Sequence, residues 1–292
     1  MSFNEDQIHQ LFAASFTPNH ELVGPGDDCA ILVTSDGRIC VSVDQLIAGI
    51  HFDDSASVQQ IATKLIGRSL SDIAAVGGHP LACMLTCGFP EDYSDEQSAA
   101  LSIAIIAAAK NQGLPIIGGD CTTTQQLALS CTVFGKAIHP VPGRKNASAS
   151  NLIFVSRALG GALSSGRHLE PRPEIELGKH LVAHYSPTAM MDLSDGLDND
   201  LGRILKASGV GARIDIDKIP LNANCDWQQA VADGEDYGLL FTIRSSDASE
   251  LRSDIFFDAQ PVFCVGEIVV GNDIVYHSAG RQVQLSLSPF SY

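Results

Sequence analysis

Long apolar runs, paired cysteines, low-complexity tracts and a cationic excess are all missing from this 292-residue chain. No stretch approaches the ~18 unbroken apolar residues that a bilayer-spanning helix needs. The most apolar region, Ile61 to Phe89, is interrupted by Lys64, Arg68 and Asp72. The opening MSFNEDQIHQLF has no basic segment followed by an apolar run, so no secretory signal is expected. The eight cysteines form no C-x-x-C pair and most lie in apolar runs, which argues against zinc and for reduced thiols in a cytoplasmic protein. Only 18 basic residues stand against 34 acidic ones, and a net charge of −16 repels nucleic-acid backbones and anionic membranes. Phosphate ligands stay admissible where divalent cations intervene.

What is present reads as two mixed α/β units, an α+β chain of two sandwich-like domains. Ile39 to Val43 is a short β-rich run. Gln59 to Val76 carries helical apolar spacing through Ile61, Leu65 and Ile73 and stops at Gly77-Gly78. Ser94-x-x-Gln97 matches a capping box that opens an alanine-rich helix ending near Gly113. Strands are expected at 114–117 and 127–138. The segment HPVPGRKNASAS, residues 139–150, reads as a linker, dividing the chain into 1–139 and 140–292. Beyond it, strands are expected at 152–155, 212–216, 237–243 and 262–270, helices near 176–184 and 198–208, and a hairpin at the end.

The chemistry is expected where carboxylates follow strands or glycines. Asp27 and Asp28 follow a Gly-Pro-Gly turn, Asp44 follows ICVSV, and Asp120 follows LPIIGG. Asp192 and Asp195 bracket Leu193-Ser194 after an apolar triplet. Taken singly, Asp beside Gly is ordinary turn chemistry. Asp72 differs, because the last turns of a helix disfavour an anion and another group must hold it there. Gathered in one place, these carboxylates would repel unless cations sat between them, and hard oxygen donors without His or Cys point to Mg²⁺. Gly161 to His168 has Arg and His where a P-loop has Lys and Ser or Thr, so it is no phosphate cradle of that kind.

The same segments, in order, resemble the thiamine-monophosphate kinases of the AIR-synthase-like superfamily: GPGDD (24–28), VSVDQLIAGIHF (41–52), LSDIAAVGGHP (70–80), IIGGD (116–120), MDLSDGLDNDLGRILKASGVGARID (191–215) and GEDYGLLF (234–241). The resemblance implies two AIR-synthase-like domains, the first forming a dimeric sheet or barrel, and direct in-line transfer of the ATP γ-phosphoryl group to thiamine monophosphate. It implies that Asp28, Asp44, Asp72, Asp120, Asp192 and Asp195 hold Mg²⁺, with Ser42 and Val43 lending oxygens. It places Asp44 and Asp120 at the reacting phosphates, and Gly119, Asp120, Arg144 and Ser194 on ATP. His51, Glu235 and a C-terminal aromatic, Phe290 or Tyr292, would contact the acceptor. By residue chemistry alone, His51 can equally be a satisfied polar group and Glu235 a turn residue. The chain departs from the family between Gly160 and Pro171, where about twenty residues are missing by motif spacing. That shortening keeps two alternatives in view, a related ATP-dependent enzyme with another acceptor and a paralogue that binds nucleotide without turnover.

Overall fold

The computed structural model describes residues 5–17, 22–24, 26–138, 140–288 and 290. A first helix, α1 (Glu5–Ser15), precedes a six-stranded sheet. Its strands are β1 (Leu22–Val23), β2 (Ala30–Thr34), β3 (Gly37–Ile47), β4 (His79–Pro90), β5 (Ile116–Thr124) and β6 (Ala128–Ala137), in spatial order β1-β2-β3-β6-β4-β5. Within this sheet, among the described residues, only β4 and β5 pair in parallel, which requires a crossover; α3 (Asp95–Asn111) supplies it. The helix α2 (Val58–Ala75) joins β3 to β4. Both long helices open on capping boxes, Ser57 with Gln60 and Ser94 with Gln97, the second as the sequence spacing predicts.

Strands run further than their sequence signals. β3 continues three residues past Asp44, and β5 runs through Asp120 to Thr124, whereas the sequence ends them at Val43 and Ile117. The cause is long-range pairing. β6 accepts β3 from Arg38↔Ala137 to Ile47↔Ala128, and β4 carries β5 through its glycine pair.

Period-two alternation then sorts the residues between faces. Asp44 is in register with the fully buried Cys131 and faces the helices. Asp120 is level with Thr86 and Ser130, on the outer face. That face exposes Val43 at 64% and Met84 at 43%, and the edge strand β5 exposes Ile117 at 63%.

The second sheet holds β7 (Asn151–Val155), β8 (Ala189–Asp192), β9 (Gly211–Asp215), β10 (Leu239–Arg244), β11 (Phe263–Val269), β12 (Ile274–Ser278) and β13 (Arg281–Val283), ordered β13-β12-β9-β11-β7-β10-β8. β12 and β13 form the expected closing hairpin. The helices α4 (Ile175–His184), α5 (Leu197–Ser208) and α6 (Trp227–Ala232) belong to this half. No sheet closes into a barrel among the described residues, and no helix is long and apolar enough to cross a membrane.

The two halves share α2. Its apolar face, with Leu65, Ile66, Leu70 and Ile73, packs on Cys40, Leu46, Cys131 and Val133 of the first sheet. Its last turn, Ala74 and Ala75, instead joins the core of the second half with Phe154, Leu181 and Phe241. α4 crosses there so closely that a Cβ on Gly178 would lie 2.1 Å from the Ala74 carbonyl oxygen. Glycine is the residue that permits this approach.

Candidate active site

One helix face organises the site. Lys64, Arg68 and Asp72, the charged residues of α2, recur every four residues and therefore project from one side. Each meets a different segment. Lys64, fully buried, pairs with the fully buried Glu235 carboxylate and donates to the His51 carbonyl oxygen at 2.7 Å. Arg68 Nη2 lies 3.1 Å from Asp44 on β3. Asp72 accepts from the Ser42 hydroxyl, one strand position from Val43, whose side chain turns to the outer face.

Carboxylate oxygens of Asp28, Asp72 and Asp192 all lie within 4.8 Å of one another. Asp28 comes from the loop before β2, Asp72 from α2 and Asp192 from the end of β8, so both halves build the cluster. Burial, then repulsion from Asp44, Asp192 and Asp28, pushes the Asp72 carboxyl well above the ordinary carboxylate range. Burial and the Asp28 charge raise Asp192 to about 7. Asp28 is raised too, again by burial, although its 2.6 Å ion pair with Arg144 opposes the rise. Three carboxyls so close, and shielded from water, cannot all ionise side by side without cations between them. Their donor chemistry fits Mg²⁺: hard oxygens, with the Ser42 hydroxyl and Asp44 alongside. This collective position answers why Asp72 tolerates a helix C-terminus.

Of the remaining sequence-selected residues, Asp195 sits just outside the cluster and pairs with Arg203, which also holds the buried Asp200 at 2.6 Å. Arg144 is anchored twice: its backbone N–H donates to Asp27 at 2.6 Å and its guanidinium to Asp28. The Ser194 carbonyl oxygen accepts the Glu235 N–H at 2.7 Å. Glu235 is therefore a turn residue, at φ +68°, and also one half of a buried ion pair. Tyr237, at φ +52°, donates its hydroxyl to the same carboxylate at 3.2 Å. His51 Nδ1 accepts the Ile47 N–H at 3.0 Å, and burial with the Arg68 and Lys64 charges lowers the ring to about 4. Phe290 docks its ring against Gly234 and its backbone against Ala232 and Asn199. Tyr292 lies outside the described residues. Asp120, exposed on β5, stands on the sheet face opposite Asp44 and apart from the cluster, whereas Gly119, level with Leu85 and Cys131, shares the row of Asp44.

The shortened segment is firmly tied. The Gly160 and Gly161 N–H groups donate to Asp236 and Asp233, each at 2.9 Å, and Arg167 pairs with Asp236. Its amides are committed to carboxylates, which agrees with rejecting a phosphate cradle there.

Sequence reasoning missed Lys64, Arg68, Asp200, Arg203 and Tyr237. For Lys64 and Arg68 the signal existed in the four-residue spacing to Asp72, read only as a break in apolarity. Asp200 in the run DLSDGLDND carries no mark that separates its buried carboxyl from the half-buried Asp195 and Asp198.

Models of AIR synthase related proteins match this chain in order, the N-terminal domain over residues 26–137 and the C-terminal domain over 152–277. Thiamine-monophosphate kinase of Rhodopirellula baltica is 33% identical over 267 residues, covering 85% of this chain and 83% of that protein. The thiamine-monophosphate kinase structure from Stenotrophomonas maltophilia K279a is 27% identical, with a TM-score of 0.74 over 95% of each chain. A structure described as AaThiL complexed with AMPPCP and TMP shares the fold, with a TM-score of 0.80 at 24% identity over 96% of this chain and 93% of that one. On the matched domains, and on identity sustained across most of a relative's length, the chain belongs to the thiamine-monophosphate kinase family of AIR synthase related proteins.

Proposed function

We propose that this protein phosphorylates thiamine monophosphate to thiamine diphosphate with ATP, by direct in-line transfer at the Asp28–Asp72–Asp192 cluster. The carrying observation is that cluster itself: the buried Asp192 and the half-buried Asp28 and Asp72, from both halves of the chain, held together at a high electrostatic cost. A divalent cation such as Mg²⁺ on these residues would neutralise charge on the transferring phosphoryl group. Asp28, Asp44, Asp72, Asp192 and Asp195, with the Ser42 hydroxyl and the Val43 carbonyl, are the groups to hold it.

An oxygen of the acceptor phosphate attacks the γ-phosphorus while the bond to the β,γ-bridging oxygen breaks, and that electron pair leaves with ADP. A dianionic phosphate acceptor has no proton to lose, so no general base is assigned. The protein's own work is positioning and charge compensation. Arg144 and Ser194, beside the cluster, are the nucleotide contacts. His51, Glu235 and Phe290 line the acceptor side, His51 as a neutral imidazole.

Gly119 and Asp120 enter this scheme through a second copy of the chain. The edge strand β5 and the apolar outer face of the first sheet require cover, and a homodimer supplies it while bringing Asp120 to a neighbouring site. We place the domain division at residue 140 and the protein in the cytoplasm.

A coupled assay for ADP tests the reading. Thiamine monophosphate should stimulate ADP release, unphosphorylated thiamine should not, and Asp44→Asn or excess EDTA should abolish turnover. Full activity in EDTA refutes the metal assignment, and stimulation by thiamine alone refutes the acceptor. The shortened 160–171 segment predicts nucleotide binding of ordinary strength with slower use of the acceptor.

A further inference from the structure

Arg68 has no role in the scheme so far, yet its guanidinium is the most under-satisfied group in the site. Nη2 meets Asp44, while Nε and Nη1 are buried and hydrogen-bond to no group among the described residues. The side chain is only 12% exposed. An arginine kept solely as a counter-ion for Asp44 would leave two charged donors stripped of water with no partner in exchange. The free Nε–H and Nη1–H, on different edges of the guanidinium, are instead charge-assisted donors suited to the oxygens of an oxyanion.

The position identifies that oxyanion. Arg68 stands one helical turn from Asp72 of the carboxylate cluster and one turn from Lys64, which holds Glu235 and the His51 carbonyl. Its electrostatic neighbours are Tyr237, Asp44 and Glu235. It therefore lies between the groups that handle the transferring phosphoryl and those that line the acceptor side. Resting on the kinase reading above, we propose that Arg68 binds the phosphate of the acceptor and selects a phosphomonoester over its unphosphorylated alcohol. Asp44 holds the guanidinium in this place through Nη2, leaving Nε and Nη1 to the ligand.

The test measures binding of thiamine monophosphate and of thiamine to the full chain, with Mg²⁺ and a non-hydrolysable ATP analogue present. Wild type should bind the phosphorylated ligand more tightly. Arg68→Ala should reduce that preference about 10- to 100-fold, the range expected for a charge-assisted pair, leaving the affinity for thiamine and for the nucleotide analogue within about 2-fold. Arg68→Lys retains the charge without the fork and should lose part of the preference; it also serves where the alanine variant does not fold. An unchanged preference in a folded variant overturns the proposal, as does a loss confined to nucleotide affinity. A wild type that does not distinguish the two ligands overturns the kinase reading itself, and is seen before any variant is made.

Discussion

Replacing Asp192 by asparagine should make the metal-free protein more stable while removing its activity. The carboxyl is buried at the end of β8, and burial with the Asp28 charge raises it from 3.8 to about 7. A carboxyl raised by folding binds its proton in the native state after the unfolded chain has released it. Its favourable contribution is therefore complete below pH 3.8 and is lost as pH rises through about 7. The interval from 3.8 to about 7 corresponds to about 4 kcal/mol. Asp28 and Asp72 share the repulsion and relax when one member is neutralised, so about half of this, ~2 kcal/mol, is expected for Asp192→Asn near pH 8. For a domain of this size that is a rise of roughly 4–8 °C in Tm. Calorimetry in EDTA between about pH 5 and pH 8 reads it, and the advantage of the variant should vanish toward the acid end. Millimolar Mg²⁺ should reverse the order, stabilising wild type more than the variant. A variant less stable than wild type near pH 8 in EDTA, or an advantage independent of pH, refutes the view that these carboxylates repel one another.

Lys64→Met should destabilise by about 3–5 kcal/mol in denaturant titration, because Glu235 is left charged and buried; adding Glu235→Leu should recover most of it without restoring activity. His51, lowered to about 4, should show no imidazole titration by NMR between about pH 5.5 and pH 8, and its contribution to stability should fall as pH drops from about 6.5 through about 4. Gly178→Ala should cost more than ~2 kcal/mol, since its Cβ would meet the Ala74 carbonyl; equal melting temperatures would show that α2 and α4 can part. Sedimentation should give a dimer, and Ile117→Asp on the exposed edge strand β5 should produce a monomer with little turnover.

Composition and pattern by themselves determined a good deal. The two α/β halves, the helix near 59–76, and the helix that the Ser94 capping box opens and that ends near Gly113 are local properties that neighbouring residues dictate through periodicity and hydrogen bonds. The set of aspartates was legible because carboxylates beside glycines and strand ends are a local pattern as well. Which of them meet was not legible, since that depends on contacts between segments far apart in the chain. Asp28, Asp72 and Asp192 converge because α2 ends inside the core of the second half, which no spacing encodes. Asp120 follows its glycine pair as Asp44 follows its strand, yet pairing along β5 and β3 turns the two to opposite faces of one sheet. Arg68 and Lys64 stood in plain view as interruptions of an apolar helix. Only the fold shows what a buried positive charge is for, because only the fold shows what lies opposite it.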